Sequence, residues 1–290
     1  MKKFAFIVSP ANIRQLKSLW PASRLIPDFL IWLFSNSLPR FKLLRVKEIR
    51  SKQGKAISGF LVICPLFPQQ ASSLGEELIL DRIIFAGNAA HKMGAKIVGL
   101  DFYPASIADK EFDTVSKSLK VPITSGHALT AWSIFEGIFR VAKARKIDLR
   151  DSSIAVKGDA NIALNLAVKK LSDHLGKLIP ESYTEEEAKN ADIVIRADPG
   201  CSIWMNLRSE PASIELGLIK LPFALDWSRQ MGLAGGVVPA ALAETMLLAF
   251  EDKFISYSLG DYINPDKLEE IADIAVRHGF EVWVPQAPLL

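Results

Sequence analysis

Ser153-Ile-Ala-Val-Lys157 runs directly into Gly158-Asp-Ala-Asn-Ile-Ala-Leu-Asn-Leu-Ala167. A short apolar strand, a glycine turn and a helix-forming run constrain this chain more than any other stretch. Strand, tight turn and helix form the unit from which parallel sheets are assembled, because a crossover must carry the chain back along the sheet. The same unit is where a dinucleotide-binding protein places its phosphate loop. There glycines spaced G-x-G-x-x-G let backbone approach a pyrophosphate. Here one glycine, Gly158, stands in the loop.

Strands and helices alternate around this join. Hydrophobic periodicity and turn residues predict strands over 4–8, 43–49, 57–64, 95–100, 121–124, 153–157, 177–179, 192–195 and 280–284. Helices are expected over 13–20, 74–93, 127–145, 161–174, 184–189, 239–252 and 265–278. Strands 43–49 and 57–64 read as a hairpin around Gln53-Gly-Lys55. The fold class is α/β: a Rossmann-like parallel-sheet domain and a second α/β domain, with a cleft between them. The expected units are 1–148 and 149–264, with 265–290 returning to the first.

At 290 residues, 49% hydrophobic and 23% charged, the chain can bury sizeable cores and is not a disordered polymer. A net charge of +3 without a basic block excludes a nucleic-acid-binding signature. The two cysteines, Cys64 and Cys201, give neither a disulfide framework nor a zinc site, and no metal is expected. Lys2-Lys3 precedes too few apolar residues for a signal peptide. The apolar stretch 25–38 is interrupted and shorter than the about 20 residues a membrane span needs. A cytoplasmic protein is expected. Phe29-Leu-Ile-Trp-Leu-Phe34 reads by default as core; its other reading is a lipid pocket or a peripheral membrane contact.

Lys157, Gly158, Asp159 and Asn161 are the candidate cofactor contacts, with a lysine charge and a helix N-terminus available to phosphate. The bland reading makes Gly158 a turn and Asp159 or Asn161 a helix cap. After the next strand comes Pro180-Glu-Ser-Tyr183, without an arginine for a ribose phosphate. NAD or NADP is the cofactor this frame allows. Thr124-Ser-Gly-His-Ala-Leu-Thr130 gathers Thr124, Ser125 and His127 at a helix start. They orient a carbonyl or phosphate, or else cap the helix beside a surface histidine. Gly235 and Gly236 bring backbone close to a ligand or make a turn. Glu244 and Glu251 share a helix face and read as solvated. Cys64 reads as core and Cys201 as a turn cysteine. No two of His91, His127, His174 and His278 have metal-ligand spacing. His127 and Lys157 are the candidate proton donors.

Several stretches in shared order carry a resemblance. They include 59–68, Ala89-Ala-His-Lys-Met-Gly94, Thr124-Ser-Gly126 with Thr130-Ala-Trp132, 153–171, and Gly235-Gly-Val-Val238. The most specific are Ala243-Glu-Thr-Met-Leu-Leu-Ala-Phe-Glu251 and Ala275-Val-Arg-His-Gly-Phe280. In these the chain resembles the long-chain acyl-[acyl-carrier-protein] reductases, which make fatty aldehydes from acyl thioesters with NADPH. Its Rossmann half looks like the wider shikimate dehydrogenase-like group. The resemblance implies an acyl ligand, an acyl carrier protein as partner and a nicotinamide cofactor. The departures fall on the chemistry. Ala163 replaces the closing glycine of the family's loop, the basic segment before Glu181 is missing, and Ala241 stands where the family has its acylated cysteine. An alanine methyl cannot form a thioester. The expectation is a diverged protein binding a nucleotide, acyl group or other small ligand in the cleft, without covalent chemistry. The alternatives are an oxidoreductase passing hydride directly to a carbonyl, and a scaffold acting through a protein partner.

Overall fold

The computed structural model describes residues 2–33, 42–65, 67, 75–157, 162–179, 190–197, 203–208, 213–225, 228, 233–260 and 263–284. Gly158, Asp159, Asn161, Cys201 and the expected helix over 184–189 lie outside them.

The chain opens with β1 (Lys2–Val8), then two short helices, α1 (Ile13–Leu19) and α2 (Asp28–Leu33). β1 is the middle strand of a sheet shared with β2 (Lys42–Arg50), β3 (Ala56–Ile63), β4 (Ile97–Leu100) and β5 (Ile123–Thr124), in the order β2-β3-β1-β4-β5. β3, β1, β4 and β5 run parallel, and β2 pairs antiparallel with β3, as the hairpin reading requires. A parallel strand covered on both faces must be apolar on both, and the period-two alternation sorts its side chains. Phe4, Phe6 and Val8 enter one core, Ala5 and Ile7 the other. The second core is completed by α3 (Glu76–Lys92), α4 (Phe102–Lys110) and α5 (Phe112–Ser118). The first is shared with α6 (His127–Arg145) and reaches the second sheet.

That second sheet has the order β10-β9-β8-β6-β7. β6 (Ser153–Lys157), β7 (Lys177–Ile179) and β8 (Ile193–Ala197) are parallel. α7 (Ile162–Leu171) follows β6 and packs on α6. β9 (Ile203–Leu207) and β10 (Ser213–Leu216) extend it antiparallel, beyond the strands expected from the sequence. Ile203, Met205 and Leu207 are buried while Trp204 and Asn206 are only partly so, the signature of a half-covered strand. β11 (Leu218–Lys220), β12 (Val237–Pro239) and β13 (Glu281–Trp283) form a small antiparallel sheet.

α8 (Ala240–Phe250) is buried along its whole length, against β1, β4 and α6. A helix apolar all round is stable only inside a protein. It lies so close to β4 that a methyl at Gly99 would overlap the Thr245 hydroxyl. α9 (Asp266–His278) packs on α6 and α8. No helix among the described residues is long and apolar enough to cross a membrane. In the 25–38 stretch, Ile31 is core, but Leu25 and Phe29 are 90% and 67% exposed, so the default reading as core fails for those two. Residues 34–38 are outside the described set.

Candidate functional site

The C-terminal ends of β1, β4 and β5 deliver Ser9, Asp101 and Ser125 to one side of the first sheet. The crevice beyond the carboxyl ends of parallel strands is where open α/β sheets bind ligands. Here it is a cavity of about 200 Å³. Ser9, Asp101, Ser125, His127 and Thr130 line it from the first sheet's side. Ala163 at the start of α7, Ile203 and Glu215 face them from the second, and Ala240 and Ala241 complete the wall.

The junction between β5 and α6 is held by two carboxylates. Asp109, near the end of α4, accepts from Ser125 Oγ at 2.8 Å and from the Gly260 N–H at 2.8 Å. Its other oxygen lies 2.6 Å from His127 Nε2. An acidic acceptor on Nε2 fixes the proton there, which leaves Nδ1 as the acceptor nitrogen. Nδ1 has no hydrogen-bond partner among the described residues, and His127 is 7% exposed at the cavity wall. Ser125 and His127 both donate to Asp109 and not to one another, so they form no nucleophile–base pair.

Glu244 holds the other side of the junction. Its Oε1 meets the hydroxyls of Thr124 and Ser258, the latter at 2.6 Å, and Oε2 accepts from the Leu129 N–H at 2.9 Å. Glu244 is fully buried, which corrects its reading as solvated. Burial pushes its carboxyl up, and the bonds from Ser258, Thr124 and Leu129 offset part of that rise. Glu251 is tied to Lys55 at 2.9 Å and to His278 at 2.6 Å. The reading of Thr124 or Ser125 as helix caps is likewise corrected. The N-cap of α6 is Gly126, with no side-chain cap bond, and the buried His127 is no surface residue. Gly126 has φ +76° and presses on α8, where a methyl would overlap Ala241.

Asp101 stands between β4 and α4 and is half-buried in the cavity wall. Burial pushes its carboxyl up to about 6, and the Phe102 N–H offsets only part of that.

The structure therefore brings Ser125, His127 and Ala241 together at one cavity and, among the other described candidates, leaves Thr124, Lys157, Gly235 and Gly236 outside its lining; Gly158, Asp159 and Asn161 lie outside the described residues. Thr124 is buried behind the wall on Glu244. Lys157, half-buried at the end of β6 opposite Arg196, is not in the cavity lining. Gly235 and Gly236 form the turn before β12, where the Gly235 carbonyl accepts from Lys220 Nζ at 3.1 Å, and neither lines the cavity. Sequence reasoning missed Asp101, Asp109, Ser258 and Gly260. Asp101 was detectable as an acid placed directly after a fully apolar parallel strand. Glu244 was detectable as a charge inside an otherwise apolar helix, which must be partnered when buried. Nothing in sequence spacing connects Asp109 to His127.

The described lining contains carboxylates at Asp101 and Glu215 and no lysine or arginine, while the expected phosphate turn, 158–161, lies outside the described residues. No group of three His, Cys, Asp or Glu side chains among the described residues is placed to hold a metal ion.

No model of a known protein family matches the chain. Aminotransferase PigE of a Serratia species is 23% identical over 97% of this chain and 40% of that protein, so the chain spans well under half of that relative. The long-chain acyl-[acyl-carrier-protein] reductase of Synechococcus elongatus is 24% identical over 80% of this chain and 85% of its own length. Among solved structures, L-tryptophan dehydrogenase from Nostoc punctiforme aligns with a TM-score of 0.28 and 18% identity, over 67% of this chain and 51% of that one. Plasmodium falciparum glutamate dehydrogenase aligns at 0.26 and 12%, over 61% and 53%. The chain is a distant relative of the Serratia aminotransferase and of the Synechococcus reductase.

Proposed function

We propose that this chain binds a small ligand bearing a carbonyl, hydroxyl or acyl group in the cleft and exchanges a proton with it at His127, with no covalent acyl intermediate. The observation that carries this reading is the His127–Asp109 pair at the cavity wall. A buried carboxylate fixes the tautomer and steadies the imidazolium that forms when Nδ1 takes a proton, which is the arrangement a general acid–base requires. Ala241 at the same wall supports the absence of a thioester step. The distant likeness to an acyl-[acyl-carrier-protein] reductase supports an acyl or carbonyl ligand and makes an acyl carrier protein the partner class to test. In this reading the chain divides into units 1–148 and 149–264, with α9 and β13 returning to the first. The test is imidazole NMR of the wild type and of His127→Gln, used to assign the signal, titrated with short aldehydes and alcohols. Shifts of the His127 resonances are expected; none with any probe would overturn the reading.

A second reading, direct hydride transfer from NADH or NADPH to a carbonyl, is favoured by one observation. Ala163, in the first turn of α7, faces the cavity, so the helix that follows the expected phosphate turn opens toward the cleft. Any dinucleotide contact would fall to residues 158–161 and that helix start. Calorimetric titration with NADH, NADPH and NAD decides it, and no heat at millimolar cofactor would sink it.

A further inference from the structure

We infer that Ser9, Gln15 and the start of α6 receive a carbonyl oxygen, so that the ligand is a carbonyl compound held by its C=O beside His127. This rests on the cleft reading above and assigns to it the residues that position the ligand.

The connection from β1 into α1 brings two side-chain donors to the cavity. Ser9 directly follows β1, lines the cavity and is 6% exposed, and its Oγ has no hydrogen-bond partner among the described residues. Buried polar groups are nearly always paired, so an orphaned one at a cavity marks the place of an occupant. Gln15, in the first turn of α1, lines the same cavity. Its Oε1 accepts from the Ala11 N–H at 2.6 Å, which fixes the amide and leaves Nε2, with its two N–H donors, as the other end.

The start of α6 adds backbone donors. The first N–H groups of a helix have no partner within it. In α6 the Leu129 N–H is taken by Glu244 and the Thr130 N–H by the Gly126 carbonyl. The His127 and Ala128 N–H groups meet no acceptor among the described residues, although Ala128 is fully buried and His127 nearly so. Ser125, His127 and Thr130 line the cavity around this helix end. The aligned peptide dipoles of a 19-residue helix place partial positive charge there. The orphaned hydroxyl and the open helix end call for the same thing at one cavity, an oxygen with lone pairs.

A carbonyl oxygen supplies two lone pairs to such a set and brings no donor that needs an acceptor of its own. Fixed donors also stabilise the negative charge that develops on this oxygen in a reaction. A carboxylate or phosphate would use the same donors but bring a full charge to the wall that holds Asp101.

The test titrates butanone and butyrate, matched in length, into the wild type, Ser9→Ala, Gln15→Glu and Ser51→Ala. It follows the His127 imidazole signals, the dissociation constants and the thermal midpoint. Gln15→Glu keeps an oxygen for the Ala11 N–H and removes the amide donors. Ser51 also carries a buried hydroxyl without a partner, but away from the cavity, and serves as the control. Ser9→Ala is expected to weaken butanone about fivefold and Gln15→Glu about threefold, each the loss of one hydrogen bond. Ser9→Ala should at the same time raise the thermal midpoint by about 2 °C, because it removes an unpaired buried hydroxyl. Ser51→Ala should raise the midpoint and leave butanone binding unchanged. Butanone binding unaltered in Ser9→Ala and Gln15→Glu, a loss as large in Ser51→Ala, or a lowered midpoint in Ser9→Ala would overturn the assignment. So would butyrate binding more tightly than butanone, which would make the occupant an anion. In each of these cases responsive His127 signals would leave the cleft reading standing, and silence of those signals toward both probes would overturn both.

Discussion

Asp101 is a carboxyl at the cavity wall whose burial costs stability, and Asp101→Asn measures that cost. Burial raises its carboxyl from 3.8 to about 6. A rise of about two units is about 3 kcal/mol of preference for the neutral form. The side chain is half-buried rather than sealed, so solvent screening reduces the figure to about 1–3 kcal/mol. The folded value lies above the unfolded one, so between about pH 4 and pH 6 the folded protein holds more proton than the unfolded chain. Stability on this account falls as pH rises through that window, and the full penalty is present above pH 6. Asparagine removes the charge and keeps an oxygen for the Phe102 N–H. The variant should therefore be more stable than wild type by about 1–3 kcal/mol at pH 7.5 and equal to it near pH 3.5. Urea unfolding at four pH values across this range measures the difference directly. A variant less stable than wild type at pH 7.5, or an offset that is the same at every pH, would refute the burial argument.

Gly126→Ala should lose about 2–4 kcal/mol in the same assay, because a methyl at φ +76° is strained and would overlap Ala241; a loss under 1 kcal/mol would mean that α8 is free to move away. Glu244→Ala should cost about 3 kcal/mol by leaving the Leu129 N–H and two hydroxyls buried without their acceptor. Glu244→Gln, which keeps the shape and one acceptor oxygen, should cost less than half as much, and equal losses would show that packing alone matters there. Ala241→Cys places a thiol at the cavity wall, so native-state iodoacetamide should label position 241, read by peptide mass spectrometry. Cys64, fully buried with its thiol pushed up to about 12, should remain unlabelled. Labelling of Cys64 ahead of position 241 would place the cavity elsewhere.

The parallel strands of the first sheet were legible because their apolar runs are continuous: Phe4 to Val8 and Ile97 to Leu100 can be nothing but strands covered on both faces. The hairpin and the long helices α3, α6 and α9 were legible from turn residues and 3.6-residue periodicity. β10 and β11 were not. They are four and three residues long, separated by Gly217 alone, and such segments carry too little pattern to stand out against the apolar background. At the site, Ser125 and His127 were visible as a polar cluster opening a helix. Their partner Asp109 is 18 residues away on another helix, and only the folding of α4 against the β5–α6 junction brings the two together. The turn after β6, the other centre of function expected from the sequence, lies outside the described residues; among those described, the groups that converge are on the first sheet's carboxyl edge.

That convergence decides which chemistry the described cavity supports. Acyl transfer needs a nucleophile whose proton passes to a base, and among the described residues no nucleophile is paired with the His127 imidazole. Position 241 offers a methyl. Ser125, the nearest hydroxyl in sequence to His127, gives its proton to the same carboxylate that holds the imidazole, so Asp109 competes with His127 for Ser125 instead of relaying charge between them. What is assembled is an imidazole with one nitrogen fixed and the other open, next to a carboxylate poised near pH 6 and across from a second one. Two proton-exchanging groups on one wall can move a proton to or from a bound ligand without a covalent bond to the protein. A neutral ligand would alter that poise in a defined direction. By displacing water from Asp101 it disfavours the ionised form and raises the carboxyl above about 6, which means that binding takes up protons in the range between the free and bound values. Butanol titrations at pH 5.5 in two buffers of different ionisation enthalpy read this as a buffer-dependent heat. The buffer dependence should vanish in Asp101→Asn. If it persists there unchanged, the proton goes to another group, and the coupling between Asp101 and the ligand is wrong.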